Sequence, residues 1–206
     1  MPRTPKKRTN PAQNTKKTAS RGKSIAGQWR GRQLEFPEID GLRPTGNRIR
    51  ETLFNWLMPY LPGSHCLDAF SGSGALGFEA LSRGARSVDM LEPNLQANQQ
   101  LQNNAKLLQA DNLQVLGSQA QQWLAQPGNR PYNIAFIDPP FDLDLWPTIL
   151  PQLEDNSWLA SEALIYIETP KNYQLQTPSN WQQHRSKIAG QVCFSLYQRI
   201  GTNNQA

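Results

Sequence analysis

The chain is poor in the residues that bind metals or form disulfides. Among its 206 residues there are only two cysteines, Cys66 and Cys193, and two histidines, His65 and His184. The cysteines lie in separate apolar runs and form no C-x-x-C pair, which argues against a disulfide framework and against a zinc site. Two histidines are too few for a histidine-rich metal cluster, so we expect no metal.

Long hydrophobic runs are also missing. No apolar stretch approaches the roughly 18 residues that a membrane-spanning helix needs, and the N-terminal region lacks the apolar segment of a secretory signal. The sequence thus favours a cytoplasmic protein with no membrane partner. Its length fits one domain with extensions.

Acidic residues are scarce at one end of the chain. Residues 1–50 contain 13 lysines and arginines against 3 acids, whereas residues 51–206 contain 8 against 13. Residues 1–24 carry no acid and almost no large apolar side chain, which predicts a disordered basic arm that binds polyanions. A hairpin over Ser24–Pro37 is predicted next, with Arg30 and Arg32 at its bend, within an extension of residues 25–45. A single domain then covers residues 46–200, and residues 201–206 are expected to fray.

Residues 66–81 contain the pattern that organises the domain. An apolar run from Cys66 to Phe70 is followed by glycines at 72, 74 and 77 and then by apolar residues at helical spacing. Glycines in the order G-x-G-x-x-G allow a tight turn, a close approach to a ligand and packing of the new helix on the strand. The stretch predicts a strand, a ligand-binding turn and a helix.

Two ligand classes fit this turn. The next apolar run, Val88 to Leu91, ends in Glu92, twenty residues after Gly72, where a carboxylate can accept hydrogen bonds from both hydroxyls of a ribose. A dinucleotide and S-adenosylmethionine both contain such a ribose. Asp68 favours S-adenosylmethionine, because the ammonium and sulfonium groups of that molecule attract carboxylates.

The remaining pattern alternates strands with helices and ends in a hairpin. This order predicts an α/β fold with a doubly wound sheet and an antiparallel edge. Strands are predicted at Leu113–Leu116, Tyr132–Ile137, Glu162–Glu168, Gln182–Ile188 and Gln191–Ile200, and helices at Asn94–Leu108, around Trp123 and at Leu143–Leu153 with an interruption near Pro147.

The fourth strand ends in Asp138-Pro139-Pro140-Phe141, which selects between the two ligands. Prolines have no N–H group, so this turn offers acceptors to a guest. An amino group on an aromatic ring can give its two hydrogens to the Asp138 carboxylate and the Pro139 carbonyl while the base stacks on Phe141. Such a base–aromatic contact contributes about 1–3 kcal/mol in comparable sites. Held in this way, the amine can aim its lone pair at a methyl sulfonium, and the carboxylate stabilises the charge that develops on nitrogen.

Further arginines precede the glycine loop. A helix is predicted from about Asn47, and Arg48 and Arg50 lie in its first turn, where positive charge opposes the helix dipole. Contact with phosphate or with the target base would account for this placement, and so would a solvated helix face.

Together these motifs resemble the bacterial RsmD family of 16S ribosomal RNA guanine-N2 methyltransferases. The resemblance covers about Ile25 to Arg199 and is carried by Leu67–Gly77, Asp138–Phe141, Gly27–Arg32, Arg43-Pro44-Thr45, Arg48, Arg50–Asn55 and Glu154–Leu159. It implies a Rossmann-like class I methyltransferase with seven strands in the order 3-2-1-4-5-7-6. The family methylates guanine 966 in the assembled or nearly assembled small subunit, and we expect this chain to do so as a monomer.

The resemblance also assigns residues to the site. Asp138 to Phe141 hold the guanine, Glu92 binds the cofactor ribose, and the polar contact to adenine falls on Gln119, where many methyltransferases have Asp. The predicted cofactor residues are Asp68, Phe70, Gly72, Ser73, Gly74, Gly77, Glu92 and Gln119, and the predicted RNA contacts are Arg30, Arg32, Arg43, Arg48 and Arg50.

Three alternatives stay open at this point. An amino-methyltransferase acting on adenine-N6 or cytosine-N4 of DNA would use the same turn. A dinucleotide-dependent oxidoreductase would use the glycine loop but leaves Asp138–Phe141 and the basic arm without a role. A non-catalytic ribosome-binding factor would use the arm alone.

Overall fold

The structure is a computed structural model, and it describes residues 20–21, 26–32, 35–36 and 46–201. Most of the basic arm, the predicted RNA contact Arg43 and residues 202–206 lie outside the described residues. The predictions made for them are therefore untested.

The centre of the molecule is a seven-stranded sheet. Its strands lie in the order β5-β4-β3-β6-β7-β9-β8, which, counted from the first strand of the sheet, is the predicted order 3-2-1-4-5-7-6. Neighbouring strands are parallel up to β7, and β9 is antiparallel to both of its neighbours, as predicted. The strands are β3 (His65–Asp68), β4 (Ser87–Leu91), β5 (Leu113–Leu116), β6 (Tyr132–Ile137), β7 (Leu159–Pro170), β8 (Trp181–Ala189) and β9 (Val192–Arg199).

Helices cover both faces of the sheet. One apolar cluster joins three helices to one face, and a second cluster joins two helices to the other face. On the first face lie α1 (Asn47–Leu57), α2 (Ala75–Ser82) and α3 (Leu95–Leu108), and on the second lie α4 (Ala120–Leu124) and α5 (Trp146–Asp155). None of the helices in the described part of the chain is long and apolar enough to cross a membrane.

The N-terminal extension differs from the predicted Ser24–Pro37 hairpin. A two-residue strand, β1 (Ser20–Arg21), pairs antiparallel with β2 (Glu35–Phe36), so the pairing starts before residue 24. A 3₁₀ turn at Gly27–Trp29 lies between them. The bend near Arg30 is present, because Arg30 and Gly31 form a turn.

Three other elements differ from prediction by two residues or more at one or both ends. Strand β3 ends at Asp68 and not at Phe70, and β7 is longer than Glu162–Glu168 at both ends. Helix α5 begins at Trp146 and is not interrupted at Pro147, because proline in the first helical turn lacks only an N–H that has no partner there.

Candidate active site

The glycine loop connects β3 to α2 at the carboxyl ends of the parallel strands, where doubly wound sheets bind ligands. Gly72 and Gly74 have φ angles of 48° and 78°, the left-handed region that favours glycine. A Cβ on Gly74 would lie 2.5 Å from Leu101 Cδ2, and one on Gly77 would lie 2.3 Å from Met90 Cε. The loop therefore needs glycine both for its turn and for the close packing of α2 on its neighbours.

Asp68 holds this loop from inside. Its carboxylate is 2% exposed, and Oδ2 accepts a hydrogen bond of 3.0 Å from the Gly77 N–H. The Ser71 hydroxyl donates to the Asp68 carbonyl over 2.9 Å. Burial raises the pKa of Asp68 to about 7, against the opposing effect of the Gly77 and Phe70 backbone N–H groups. The carboxylate thus fixes the first turn of α2, and its predicted interaction with the cofactor ammonium group stays a prediction.

Glu92 lies directly after β4 and forms hydrogen bonds to the loop after β3 and to the residues that follow β4. Its Oε2 accepts from the Gly72 N–H at 3.0 Å, and Oε1 accepts from the Asn94 N–H at 2.8 Å. The residue is 8% exposed, and this burial raises its pKa. Each carboxylate oxygen can accept a second hydrogen bond, so the group retains capacity for the two hydroxyls of a ribose. This donor and acceptor set fits the predicted cofactor.

Three other predicted cofactor residues lie around the same edge. Phe70 and Ser73 are half-buried in the loop, and Phe70 packs against the core of the second face. Gln119 is exposed at the start of α4, and its Oε1 accepts from Gln121 Nε2 at 3.1 Å. A carboxamide can both donate to and accept from an adenine, so Gln119 fits its predicted role.

The Asp138–Phe141 turn lies beside the glycine loop, because β6 is the neighbour of β3 and Phe136 pairs with Asp68. Asp138 is half-buried and Pro139 is buried. The Pro140 carbonyl accepts from the Leu143 N–H at 3.1 Å, which closes a 3₁₀ turn over Phe141–Leu143. The two predicted halves of the site are thus brought together on adjacent strands.

Phe141 is supported by aromatic side chains that the sequence analysis did not assign to a site. Its half-buried ring lies 5.8 Å from the buried ring of Trp146, and Trp146 lies 4.5 Å from Tyr173. The Trp146 indole N–H donates to the Glu168 carbonyl at 3.0 Å, which fixes the ring. This row orients the surface on which a base could stack.

A buried acid next to Asp138 was also missed. Ile137 pairs with Ile167, so the residues that follow them lie side by side: Asp138 directly after the end of β6, and Glu168 within β7. Glu168 is 4% exposed, and its Oε1 accepts from the Tyr166 hydroxyl at 2.6 Å. Burial raises the pKa of both side chains, and the negative charge of Glu168, followed by that of Asp138, raises the pKa of Tyr166 further. The signal that singled out Asp138, a carboxylate at a strand end, was present at Glu168 as well.

The predicted RNA-binding arginines occupy several places. Arg30 and Arg32 are exposed in the turn that follows Gly27–Trp29, and Arg48 is exposed on α1. Arg50 Nε lies 3.9 Å from Glu79 Oε2 on α2, with 13% of its side chain exposed. An RNA contact remains a prediction for each of them.

The segment before these arginines docks on α2. The Ala26 N–H donates to Glu79 Oε2 at 3.2 Å, and the Trp29 N–H donates to Ser82 Oγ at 2.9 Å. A Cβ on Gly27 would lie 2.2 Å from the Ser82 carbonyl oxygen. Ser82 is eight residues beyond Gly74, so the docking point is about 12 Å along the helix from the glycine loop.

Comparison with known proteins places this geometry in a family. The family model described as Conserved hypothetical protein 95 matches residues 23–198. Ribosomal RNA small subunit methyltransferase D of Escherichia coli (strain K12) is 53% identical over 176 residues, which cover 85% of this chain and 88% of the relative. The chain belongs to this family, the RsmD family of methyltransferases.

Solved structures agree with the architecture. The structure titled "Putative methyltransferase yhhF from Escherichia coli" superposes with a TM-score of 0.82 at 49% identity, over 89% of this chain and all of that one. A more distant structure, the Thermus thermophilus 16S rRNA N2 G1207 methyltransferase in complex with AdoMet and guanosine, has a TM-score of 0.67 at 18% identity, over 89% of this chain and 50% of that one. The latter similarity concerns the fold, which is that of class I methyltransferases.

Proposed function

We propose that the protein transfers a methyl group from S-adenosylmethionine to the exocyclic N2 amine of a guanine in 16S ribosomal RNA, at guanine 966, within the small subunit or a late assembly intermediate. The observation that carries the proposal is the placement of Asp138–Phe141 next to the glycine loop, on adjacent strands of one sheet edge. The names of the relatives support the RNA substrate. We further propose that the enzyme acts in the cytoplasm as a monomer.

The glycine-loop half would hold the cofactor. Glu92 accepts hydrogen bonds from the ribose, Gln119 contacts the adenine, and the Gly72–Gly74 turn brings the backbone close to the methionine portion. S-adenosylmethionine, when bound, supplies an electrophilic methyl group on a positively charged sulfur. The Thermus thermophilus protein, which shares this fold, was solved with both AdoMet and guanosine bound.

The Asp138–Phe141 half would hold the guanine. Phe141 offers a ring for the base to stack on, and the Asp138 carboxylate and Pro139 carbonyl accept the two N2 hydrogens. The Pro140 carbonyl is engaged with the Leu143 N–H, so it serves the turn. Two acceptors on one amine favour pyramidal geometry and direct its lone pair outward, which supplies orientation to a reaction that needs little other assistance.

Asp138 would also stabilise the positive charge of the reacting amine and could accept its proton. As the new C–N bond forms, positive charge develops on nitrogen next to this carboxylate, which stabilises it electrostatically. The methylated amine is then a strong acid, and its proton passes to Asp138 or to water.

The decisive experiment is nucleoside mass spectrometry of small-subunit RNA. Purified protein and S-adenosylmethionine are incubated with subunits that lack the modification, and duplex DNA replaces the subunits in a parallel reaction. We expect N2-methylguanosine in the RNA, located by digestion and sequencing at guanine 966, and no methylated base in the DNA. Binding of S-adenosylhomocysteine without N2-methylguanosine would show that the substrate is wrong, and methylated adenine or cytosine in the DNA would favour the DNA enzyme.

A further inference from the structure

A groove lies between helix α1 and the edge strand β8, outside the methyl-transfer site. Its volume is about 520 Å³. Asn55, Trp56, Pro59, Tyr60, His184, Arg185, Ser186 and Lys187 line it. Of these residues, Asn55 alone belongs to a stretch that carries the family resemblance, Arg50–Asn55.

The register of the edge hairpin shows which side of the sheet the cations occupy. Arg185 pairs with Leu196 and Lys187 pairs with Phe194. Both partners are buried in the apolar cluster under α1. Cross-strand partners project from the same face, so both cations lie on the α1 side of the sheet, at a strand that is exposed from Gln182 to Ile188.

Aromatic side chains lie beside these cations. The half-buried Trp56 ring stacks on Phe194 at 5.3 Å, and Lys187 Nζ lies 5.9 Å above the Trp56 ring. Tyr60 lies four residues further on and is 44% exposed. Cations beside an exposed aromatic side chain, here Tyr60, are typical of a surface that binds single-stranded nucleic acid, where phosphates pair with the cations and bases stack on the ring.

The charge of the groove contrasts with the rest of the domain. Residues 51–206 carry 8 basic and 13 acidic residues, yet the lining contains Arg185, Lys187 and His184 and no carboxylate. Within the described part of the chain, neither Arg185 nor Lys187 forms a salt bridge. A local positive surface on an acidic domain fits a polyanion better than it fits general solubility.

The groove is within reach of the target base. Lys187 pairs with Phe194, which pairs with Glu168, the neighbour of Asp138. Three strand spacings separate Lys187 from Asp138, or about 15 Å at the usual 4.8 Å per strand. A short RNA segment can span this distance.

We propose that the α1–β8 groove binds a segment of ribosomal RNA that flanks the target nucleotide. Arg185 and Lys187 pair with its phosphates, and Tyr60 supplies a stacking face. The proposal rests on the ribosomal RNA substrate given above and adds to it a second contact surface, separate from the Asp138–Phe141 turn.

Charged residues on an edge strand also have a simpler role, because they prevent pairing with other chains. That role depends on the presence of charge and not on its sign. Replacing both cations by glutamate keeps the edge protected but opposes phosphate, so the double variant Arg185→Glu, Lys187→Glu separates the two roles.

The test measures binding and methylation of small subunits by the full chain at several salt concentrations. The matched control is Arg86→Glu, Lys106→Glu, which makes the same change in net charge at two exposed residues, one before β4 and one in α3. We expect the groove variant to raise KM by about 10-fold or more with kcat at saturation unchanged. The slope of log affinity against log salt should fall by about 1.4 to 1.8, as expected for two lost phosphate contacts.

A second pair of variants tests the proposed stacking of a base on Tyr60. Tyr60→Ala should weaken RNA binding about 5-fold or more, as expected when an aromatic face for one base is lost. Met58→Ala, at a neighbouring residue that is 59% exposed, should leave RNA binding unchanged. Binding of S-adenosylhomocysteine should be the same in all variants, which verifies that each one is folded.

The outcomes separate this proposal from the proposed function. If the wild-type protein forms N2-methylguanosine and the groove variant behaves like its control, the groove proposal is wrong while the function stands. If the wild-type protein forms none, the function itself fails. If the groove variant is impaired on subunits but binds a protein-free 16S RNA fragment as tightly as wild type, a ribosomal protein occupies the groove and the RNA assignment is overturned.

Discussion

The two halves of the site are held in place by different forces. In the glycine-loop half, the Asp68 and Glu92 carboxylates accept hydrogen bonds from three backbone N–H groups, at Gly77, Gly72 and Asn94. In the other half, Asp138 is followed by two prolines that have no N–H to donate, and Phe141 is positioned by contact with the Trp146 ring.

Because of this difference, substitutions in the two halves should have different effects on folding stability and on catalysis. The carboxylates of the glycine-loop half accept hydrogen bonds from backbone N–H groups that shape the loop, so changing them should alter stability and cofactor affinity together. The Asp138–Phe141 turn follows the end of a strand, and Asp138 is only half-buried, so changes there should alter catalysis with less effect on folding. The predictions below test this separation.

The largest effect is expected from Asp138→Ala. Loss of a carboxylate that stabilises developing charge should lower kcat by about 10²–10³-fold. Binding of S-adenosylhomocysteine, measured by calorimetry, should stay close to wild type. Asp142→Ala, at an exposed residue four positions further on, is the control and should retain full activity. Full activity of the Asp138 variant would remove that residue from the mechanism.

Gly74→Ala should be the most damaging change in the loop. The new Cβ would occupy a left-handed conformation and lie 2.5 Å from Leu101 Cδ2 and 2.7 Å from Phe78 Cε2. We expect a loss of about 2–4 kcal/mol in the free energy of unfolding, from backbone strain and overpacking combined. Chemical denaturation measures it, and S-adenosylhomocysteine affinity should fall in parallel.

Gly63→Ala is the matched control, because Gly63 has the same φ of 78° and no atom within 4 Å of a Cβ. It should show the backbone strain alone, about 1 kcal/mol. Equal losses in the two variants would show that the loop is not as tightly packed as the structure indicates.

The sheet was predictable because each of its strands has a local signal. Buried strands such as Tyr132–Ile137 are nearly continuous apolar runs, and the alternation of strands with helices predicts a doubly wound sheet. The order of the strands within that sheet came from the family resemblance. The predicted ends of strands were wrong where contacts with neighbouring strands determine them. The residues of β7 outside Glu162–Glu168 gain their partners from β6 and β9, which the sequence of β7 does not reveal.

Only those site residues that belong to a recognisable sequence motif could be predicted from the sequence. Asp138 and Glu92 stand at the ends of recognisable strands. Trp146 was missed because its role depends on contacts with Phe141 and Glu168, which come from different elements. Trp56 borders a groove because the exposed strand β8 lies opposite it, which the sequence of α1 alone does not reveal.

A moderate effect is expected from Glu92→Gln. The amide has one acceptor oxygen in place of two, so it cannot serve both backbone donors and both ribose hydroxyls. We expect S-adenosylmethionine affinity to fall about 10-fold, equivalent to about 1.4 kcal/mol, together with a small loss of stability. Glu51→Gln, an exposed residue on α1, is the control and should change neither. Unchanged affinity in the Glu92 variant would show that Glu92 serves the loop and not the cofactor.

The most specific effect is expected in the pH dependence of the stability of Asp68→Asn. Burial raises the pKa of Asp68 from its ordinary 3.8 to about 7, so between these values the folded protein binds a proton that the unfolded chain has released. Stability should therefore decrease as pH rises from about 4 to 7 and then level off. Asparagine keeps an acceptor for the Gly77 N–H but does not titrate, so its advantage over wild type should grow across this window to a few kcal/mol, on the order given by three pKa units. Thermal unfolding midpoints of the two proteins at several pH values measure this, and parallel curves would contradict it.

The same variant tests whether the Asp68 charge also serves the cofactor. If Asp68→Asn is more stable than wild type above pH 7 but binds S-adenosylmethionine more weakly, the negative charge of Asp68 destabilises the fold and contributes to cofactor binding.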